Sequence, residues 1–305
     1  MKLEIKNIHK SFDGTEVLHG VSFYATDGSA LGLLGRNGAG KTTTIRILMG
    51  VFHANSGEVL LDGAPFDPKL HKIGYMPEER GMYPKKKVME QLIYFGELRG
   101  ISKHEAKANA TKLLDKLGIS EYTNRKLETL SKGNQQKVQL VQTLINNPQI
   151  IILDEPFSGL DPVNSQMLKD LIEEEIQNGK LVIFSSHQMG YVEEFCKDVV
   201  ILNKGNVVLK GELRSIQKEY GDQKLILNAN GMTTQELANM LSQQMVECIT
   251  IVEVRKDYVI FEMLENYDKK YIAKKLIDME IDIDVFGDYK PTLTDIFVMK
   301  AGDVE

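Results

Sequence analysis

The first two thirds of the chain alternate between short apolar runs and helical patterns. Apolar residues recur at spacings of three and four between Leu168 and Ile176, and Gly179 closes this pattern, which predicts an amphipathic helix. Strand-length apolar runs of the kind buried in a parallel sheet flank such patterns. These runs are Val59–Leu61, Ile150–Leu153, Leu181–Phe184 and Val199–Leu202. Strands that alternate with helices predict an α/β domain with crossover connections.

Two regions depart from this alternation. The segment from about residue 85 to residue 147 carries no convincing buried strand, so we expect a helical subdomain within a first domain of residues 1–214. Residues 221–305 follow the order strand, helix, strand, strand, helix, strand, and they end with the amphipathic stretch Leu293–Met299. That order is a split βαβ arrangement, which predicts a small α+β domain of the ferredoxin-like type.

The composition is that of a soluble protein with a sizeable core, because 42% of the 305 residues are apolar and 26% are charged. No run approaches the roughly 18 apolar residues of a membrane-spanning helix, and the N-terminus lacks the apolar block of a signal peptide, so we expect a cytoplasmic protein. Cys196 and Cys248 stand alone, which predicts reduced packing residues. The net charge of −6 argues against a protein that mainly neutralises nucleic-acid phosphates.

A glycine-rich segment carries the strongest chemical signal. Residues 35–42 match the pattern G-x-x-x-x-G-K-[ST], between a predicted strand at Ala30–Leu34 and a predicted helix at Thr43–Leu48. In such a loop successive backbone N–H groups point at phosphates, the lysine adds a positive charge, and the threonine hydroxyl is a candidate Mg²⁺ ligand. The predicted nucleotide-binding residues are Gly35, Arg36, Asn37, Gly38, Ala39, Gly40, Lys41, Thr42 and Thr43.

Two adjacent carboxylates, Asp154 and Glu155, follow the apolar run Ile150–Leu153. Consecutive side chains of a strand face opposite ways, so the two carboxylates have different tasks. We expect Asp154 to hold Mg²⁺ and Glu155 to orient or deprotonate the attacking water of an ATPase.

Further motifs appear in a specific order around these two elements. Leu130-Ser131-Lys132-Gly133-Asn134 precedes the carboxylates, while Ser158–Asp161 and His187 follow them. With these motifs the chain resembles the ATP-binding subunit of ABC transporters over about residues 1–210. The resemblance implies a P-loop NTPase fold and a dimer of two copies that encloses MgATP. It also implies that Ser131 and Gly133 contact the γ-phosphate bound to the second copy, with Asn134 standing where the family has glutamine.

The same resemblance implies roles for four other residues. Phe12 stacks on adenine, Asp161 couples the two nucleotide sites, and His187 reaches the γ-phosphate. Glu78 stands where the family has a glutamine near Mg²⁺, which makes it a further candidate metal ligand. Pro77–Gly81, the Leu-Ser-Lys-Gly-Asn motif and Pro291–Phe297 together resemble an exporter branch related to the sodium-efflux ATPases.

The expected function is therefore that of a motor subunit. Two copies close on ATP and Mg²⁺, and this closure drives export through separate multi-spanning permease subunits, while hydrolysis reopens the dimer. The permease subunits hold the chain at the cytoplasmic face of the membrane. The family places the permease groove near Gln91–Arg99 and the Glu78 loop. Lys85–Lys87 is interpreted as a solvated face, with a contact to lipid headgroups or to an acidic loop of a partner as the alternative. An alternative is a soluble ABC-type ATPase that acts on nucleic acid or ribosomes. A regulatory module that binds ATP and barely hydrolyses it is a third possibility, against which Glu155 and His187 argue.

The charge is divided unevenly between the two predicted domains. Residues 1–214 have a net charge of +1 and residues 215–305 a net charge of −7, so the acidity belongs to the accessory domain. The order of the motifs, rather than the charge, then makes a nucleic-acid partner unexpected.

Overall fold

The computed structural model describes residues 1–79 and 81–301, so Arg80 of the Pro77–Gly81 segment lies outside the described residues. By internal packing the chain divides into two compact units, Met1–Leu213 and Arg214–Met299. Within the described part of the chain, none of the helices is long and apolar enough to cross a lipid bilayer.

The first unit is built from ten strands and six α-helices among the described residues, together with three short 3-10 helices. Its strands are β1 Lys2–Phe12, β2 Thr15–Thr26, β3 Ser29–Leu34, β4 Ser56–Leu61, β5 Ala64–Pro65, β6 Ile73–Met76, β7 Ile150–Asp154, β8 Leu181–Ser186, β9 Asp198–Asn203 and β10 Asn206–Glu212. Its α-helices are α1 Lys41–Leu48, α2 Val88–Leu98, α3 Lys103–Lys116, α4 Lys132–Leu144, α5 Pro162–Gln177 and α6 Met189–Phe195. Strands and helices alternate as the apolar pattern predicted, which confirms the α/β class.

Two sheets organise this unit. The larger has the strand order β10-β9-β3-β8-β7-β6, in which β10 alone runs antiparallel to its neighbour. The smaller is antiparallel, with the order β2-β1-β4-β5. Apolar side chains of β1, β2, β3, β7, β8 and α1 share one core. The segment from residue 88 to residue 144 contributes α2, α3 and α4 and no strand.

The smaller sheet corrects one prediction. We expected Val59–Leu61 to be a strand of the parallel sheet, but these residues lie in β4, where Leu61 pairs antiparallel with Leu3. Only Leu60 of this run is buried, since the flanking side chains are partly exposed. A run of three apolar residues does not distinguish a strand buried on both faces from one buried mainly on one face.

Helix α7, Leu213–Gly221, leads into the second unit. Its remaining elements are β11 Lys224–Ala229, α8 Thr234–Gln244, β12 Ile249–Val254, β13 Val259–Met263, α9 Lys269–Asp278, β14 Ile283–Asp288 and α10 Leu293–Ala301. The four strands form an antiparallel sheet in the order β12-β13-β11-β14, which is the ferredoxin-like arrangement. Side chains from α8 and α9 pack with those of the strands in a separate core.

Both cysteines are packing residues, as predicted. Cys196 lies in the first unit and Cys248 in the second, and both are free thiols inside the protein. Burial raises the pKa of each thiol above its ordinary value. Both side chains therefore remain protonated at neutral pH.

The start of α9 offers a test of local stability. The Asp268 carboxylate accepts a hydrogen bond of 2.7 Å from the backbone N–H of Tyr271 and so caps the helix. Asp268→Ala should lower the free energy of unfolding of the second unit by about 1 kcal/mol. Lys270→Ala, in the same turn, should change it by less than about 0.5 kcal/mol. Urea denaturation followed by circular dichroism measures both, and equal effects would contradict the capping role.

Candidate functional site

The candidate chemical groups lie at one edge of the larger sheet because of strand register. In the parallel pairs, Leu34 of β3 lies beside Ser186 of β8, and Asp154 of β7 lies beside Ser185. The segments that leave β3, β7 and β8 therefore start side by side at the carboxyl edge. This is the edge at which open parallel sheets bind their ligands.

The glycine-rich loop joins β3 to α1 and needs glycine for its shape. Gly40 has a φ of 105°, and a Cβ atom there would lie 2.6 Å from Leu18 Cδ2. Any larger residue at this position would thus combine backbone strain with a collision. The loop ends where α1 begins at Lys41, and the first turn of α1 contains no acidic residue. Its backbone N–H groups and the positive end of the helix dipole are therefore available to an anion.

Lys41 holds a buried positive charge inside this loop. Its side chain is almost fully buried, and Nζ donates hydrogen bonds of 2.6 Å to Gly35 O and 3.4 Å to Arg36 O. No carboxylate pairs with this ammonium group among the described residues. A buried charge that is held only by carbonyl oxygens gains strongly from an anionic ligand.

Asp154 ends β7 beneath the loop, with only 2% of its surface exposed. One carboxylate oxygen accepts a hydrogen bond from Ser185 Oγ, and the other lies 3.5 Å from Thr42 Oγ1. Burial, with a contribution from the charge of Asp154, raises the pKa of Tyr75 to about 12. Hydroxyl and carboxylate oxygens are the ligands that Mg²⁺ takes in proteins, so Thr42 and Asp154 fit this ion.

Glu155 follows with a strained backbone and two differently bonded oxygens. Its φ is 51°, a left-handed conformation that costs a non-glycine residue about 1–3 kcal/mol. Ser186 Oγ donates a hydrogen bond of 3.3 Å to Oε2, while His187 Nδ1 lies 2.8 Å from Oε1. Glu155 is 5% exposed and His187 is 52% exposed. The imidazole thus connects a buried carboxylate with the open side of the site.

A single cavity of about 400 Å³ gathers most of the predicted residues. Phe12 lies at its exposed side, where its ring packs edge-on against Phe52 at a centroid distance of 5.1 Å and under the Lys10 ammonium at 4.9 Å. The predicted residues that line the cavity are Phe12, Arg36, Asn37, Gly38, Ala39, Gly40, Lys41, Thr42, Thr43, Glu78, Asp154 and Glu155. Gly35 adjoins it through Lys41 and His187 through Glu155.

The other predicted residues do not line this cavity and lie together elsewhere. Ser131 caps α4 by accepting a hydrogen bond of 3.3 Å from Asn134 N. Gly133 packs so closely on Asn164 that a Cβ atom would lie 3.0 Å from its amide nitrogen. Asp161 caps α5 by accepting a hydrogen bond of 2.9 Å from Asn164 N, and the hydrogen bonds from Asn164 hold the pKa of Asp161 below its usual value. The two helix starts thus form one surface, separate from the cavity.

Three polar residues of α4 that sequence reasoning missed hold this site in place. Gln136 Nε2 donates to Pro156 O, directly after Glu155, and Gln139 Nε2 donates to Pro77 O at 2.9 Å, directly before Glu78. Thr143 Oγ1 lies 3.4 Å from the backbone oxygen of Tyr75. The sequence pattern that could have revealed them is the spacing of three and four between polar residues on the buried face of one helix.

Comparison with known proteins places these features in a family. A sequence profile described as ABC transporter matches residues 18–158. The chain is 37% identical to YhaQ of Bacillus subtilis (strain 168), an uncharacterized ABC transporter ATP-binding protein, over 99% of both chains. It is 30% identical to the linearmycin resistance ATP-binding protein LnrL of the same organism, over 83% of each chain. A bacterial ABC transporter cassette solved as a dimer has 25% identity and a TM-score of 0.63, over 70% of this chain and 99% of that one.

The Gln139 amide allows a test of how the Glu78 segment is held. Gln139→Leu removes the donor to the partly buried carbonyl oxygens of Pro77 and Glu79, so the free energy of unfolding should fall by about 1 kcal/mol. Hydrogen exchange at residues 78–79 should become faster, because their tether is lost. Gln142→Ala, on the same helix, is the control and should leave this exchange unchanged. Unaltered exchange in Gln139→Leu would exclude the tether.

Proposed function

The chain belongs to the ATP-binding proteins of ABC transporters, which bind and hydrolyse ATP, and from this premise we propose how its residues perform these steps. The observation that carries the proposal is the single cavity that joins the glycine-rich loop to Asp154 and Glu155. The relatives are transporter subunits, so the alternative of a soluble ATPase acting on nucleic acid is not favoured.

The glycine-rich loop, residues 35–42, binds the β- and γ-phosphates of ATP. Backbone N–H groups at the start of α1 point at the phosphate oxygens, and Lys41 exchanges the carbonyl oxygens of Gly35 and Arg36 for phosphate oxygens. This exchange replaces neutral acceptors by charged ones, which form stronger hydrogen bonds. Arg36, Asn37, Gly38, Ala39, Gly40 and Thr43 form the rest of the phosphate cradle.

Phe12 binds the adenine ring. Its side chain is 37% exposed and lines the cavity that contains the phosphate loop. Packing on Phe52 fixes the ring from one side, so a second aromatic system can stack on the free face. Adenine and phosphates are thus held from different ends of one cavity.

Thr42 and Asp154 hold Mg²⁺, and Glu78 is a third candidate ligand in the same cavity. When bound, the ion neutralises charge on the β- and γ-phosphates. Glu78 is exposed and makes no ion pair among the described residues. Its carboxylate adds negative charge beside phosphate, which the metal ion offsets.

Glu155 is the proposed general base. It accepts a proton from water, whose oxygen then bonds to the γ-phosphorus while the bond from that phosphorus to the bridging oxygen of ADP breaks. The hydrogen bond from Ser186 orients the carboxylate. His187 contacts Glu155 and is half exposed. It reaches the γ-phosphate, so its contact with Glu155 links the base to the bound phosphate. The products are ADP and inorganic phosphate.

A second copy of the chain completes the site. Ser131, Gly133, Asn134 and Asp161 lie at the starts of α4 and α5 and do not line the cavity of their own chain. We propose that this surface closes on the γ-phosphate bound to the other copy, and that Asp161 couples the two sites. The likeness to a cassette solved as a dimer supports this arrangement.

Permease subunits in the membrane dock on a groove formed by α2 and the segment before it, and this contact keeps the chain at the cytoplasmic face. A cavity of about 350 Å³ is lined by Tyr83, Lys86, Glu90, Gln91 and Tyr94. The two tyrosines are about half exposed, and Gln91 is buried and bonds to the backbone of Tyr83 at 3.1 Å. Aromatic residues on a rigid base suit a protein interface. The direction is export, which the name of the linearmycin resistance relative supports.

Glu155→Gln tests the catalytic proposal. Loss of the base should lower the ATP hydrolysis rate by about 10²- to 10⁴-fold, while ATP affinity changes by less than about threefold because the phosphate loop is intact. The variant should then accumulate as a dimer with MgATP in size-exclusion chromatography. Wild-type hydrolysis without a dimer would refute the assignment. Lys41→Ala is the matched comparison and should weaken ATP binding by at least about tenfold.

Tyr94→Ala tests the permease groove. Co-purification of the permease from membranes should fall by about tenfold or more, since a partly exposed aromatic anchor is removed. ATP hydrolysis by the isolated chain should stay unchanged, because the groove does not share residues with the nucleotide cavity. Tyr24→Ala, equally exposed on β2, should retain the permease. If the wild-type chain recovers no multi-spanning membrane protein, the transporter proposal fails.

A further inference from the structure

The second unit contains a cavity that the proposed ATPase cycle does not use. Its volume is about 730 Å³. The walls come from α7, from the turn that leads into β11, from the end of β13, and from the segment after β14. Among its lining residues, four are basic and two are acidic, namely Arg214, Lys218, Lys224 and Lys290 against Asp222 and Asp288. All of them belong to the second unit.

This cavity concentrates positive charge in an acidic part of the chain. Residues 215–305 contain 10 basic and 17 acidic side chains, yet basic residues predominate in the cavity wall. Asp288 is already paired with Lys269, at 2.8 Å, and so neutralises less of the wall. The effective excess of positive charge is therefore larger than the residue types alone indicate.

Three of the four cations are unpaired within the part of the chain that the structure describes. Arg214, Lys218 and Lys290 make no ion pair or side-chain hydrogen bond with the described residues, and all three are exposed. Lys224 Nζ donates only to a neutral acceptor, Tyr220 O, at 3.1 Å. Arg214 and Lys218 are four residues apart on α7, where like charges repel each other. A counter-anion from outside the chain would remove this repulsion.

Close packing and hydrogen bonds hold the wall around these cations in place. At the end of α7, a Cβ atom on Gly221 would lie 2.3 Å from Tyr289 O, so the helix packs directly against the segment after β14. The buried Tyr289 lines the cavity, and its hydroxyl donates a hydrogen bond of 3.0 Å to Asp295, in the first turn of α10. Arg255 lies 2.9 Å from the other oxygen of Asp295. The occupied cavity would thus adjoin a network that fixes α10.

We propose that this cavity is a binding site for a phosphate-bearing anion. Arginine offers paired N–H donors that match phosphate oxygens, and lysine adds mobile point charges that adapt to the rest of the group. The anion comes from one of two sources, either a small soluble phosphate compound or the headgroup of an anionic lipid.

The first experiment measures binding of pyrophosphate to the full chain by isothermal titration calorimetry. It uses Lys41→Ala as the background, because the glycine-rich loop also binds phosphates. Adding Arg214→Ala and Lys218→Ala should weaken binding by at least about tenfold, since two charged donors are lost. Lys256→Ala with Lys274→Ala is the matched control, which removes the same charge from exposed sites of the same unit and should keep the affinity.

The second experiment measures flotation of the same variants with vesicles of phosphatidylglycerol or of phosphatidylcholine. If the ligand is a soluble phosphate compound, we expect pyrophosphate binding without selective flotation. If it is a lipid headgroup, we expect flotation with phosphatidylglycerol vesicles and not with phosphatidylcholine vesicles. In each case the Arg214/Lys218 variant must lose the binding or the flotation. The proposal is overturned if the background variant binds neither probe, or if the control pair weakens binding equally. Should the double substitution lower the melting temperature, Lys290→Ala carries the same comparison.

Discussion

The parallel register of β3, β7 and β8 is the constraint on which the nucleotide site depends. Because Leu34 lies beside Ser186 and Asp154 beside Ser185, three chain segments leave the sheet at one level. The phosphate loop, the two carboxylates and His187 are then brought together by backbone hydrogen bonds rather than by flexible side chains. A shift of one residue in the register of β7 would turn Asp154 to the other face of the sheet. The positions of these groups are therefore fixed by the sheet that carries them.

Helix α4 contributes to two regions, one at its N-terminus and one along its buried face. Its first turn carries Ser131 and Gly133, which we assign to the nucleotide of the partner copy. Its buried face holds the backbone on both sides of the chain's own site, through Gln136 after Glu155 and Gln139 before Glu78. Buried polar contacts of this kind are costly when broken, so they tie α4 to both segments. If the groove proposed for the permease is correct, these contacts would link it to the nucleotide site, because the groove begins a few residues beyond Glu78.

Sequence reasoning predicted what is encoded locally. The phosphate loop and the pair Asp154–Glu155 follow from short motifs next to apolar strands, and the β-α-β-β-α-β order of the second unit follows from periodicity. It assigned Val59–Leu61 to the wrong sheet, because a run of three apolar residues does not determine which strands it pairs with. It also missed the Gln139 tether, whose partner Pro77 is 62 residues away. The basic cavity depends on Arg214 and Lys290, which only the fold brings to one wall.

The left-handed backbone of Glu155 has a consequence for the chain's stability. A residue with a side chain is held at a φ of 51° where glycine would be relaxed, so the sequence here is not the most stable one for its own backbone. Optimisation for thermostability would favour glycine at this position and would remove the carboxylate with the strain. If Glu155 is the base that we propose, this one dihedral angle sets stability against activity. Stabilising substitutions should be sought where side chain and backbone preferences already agree.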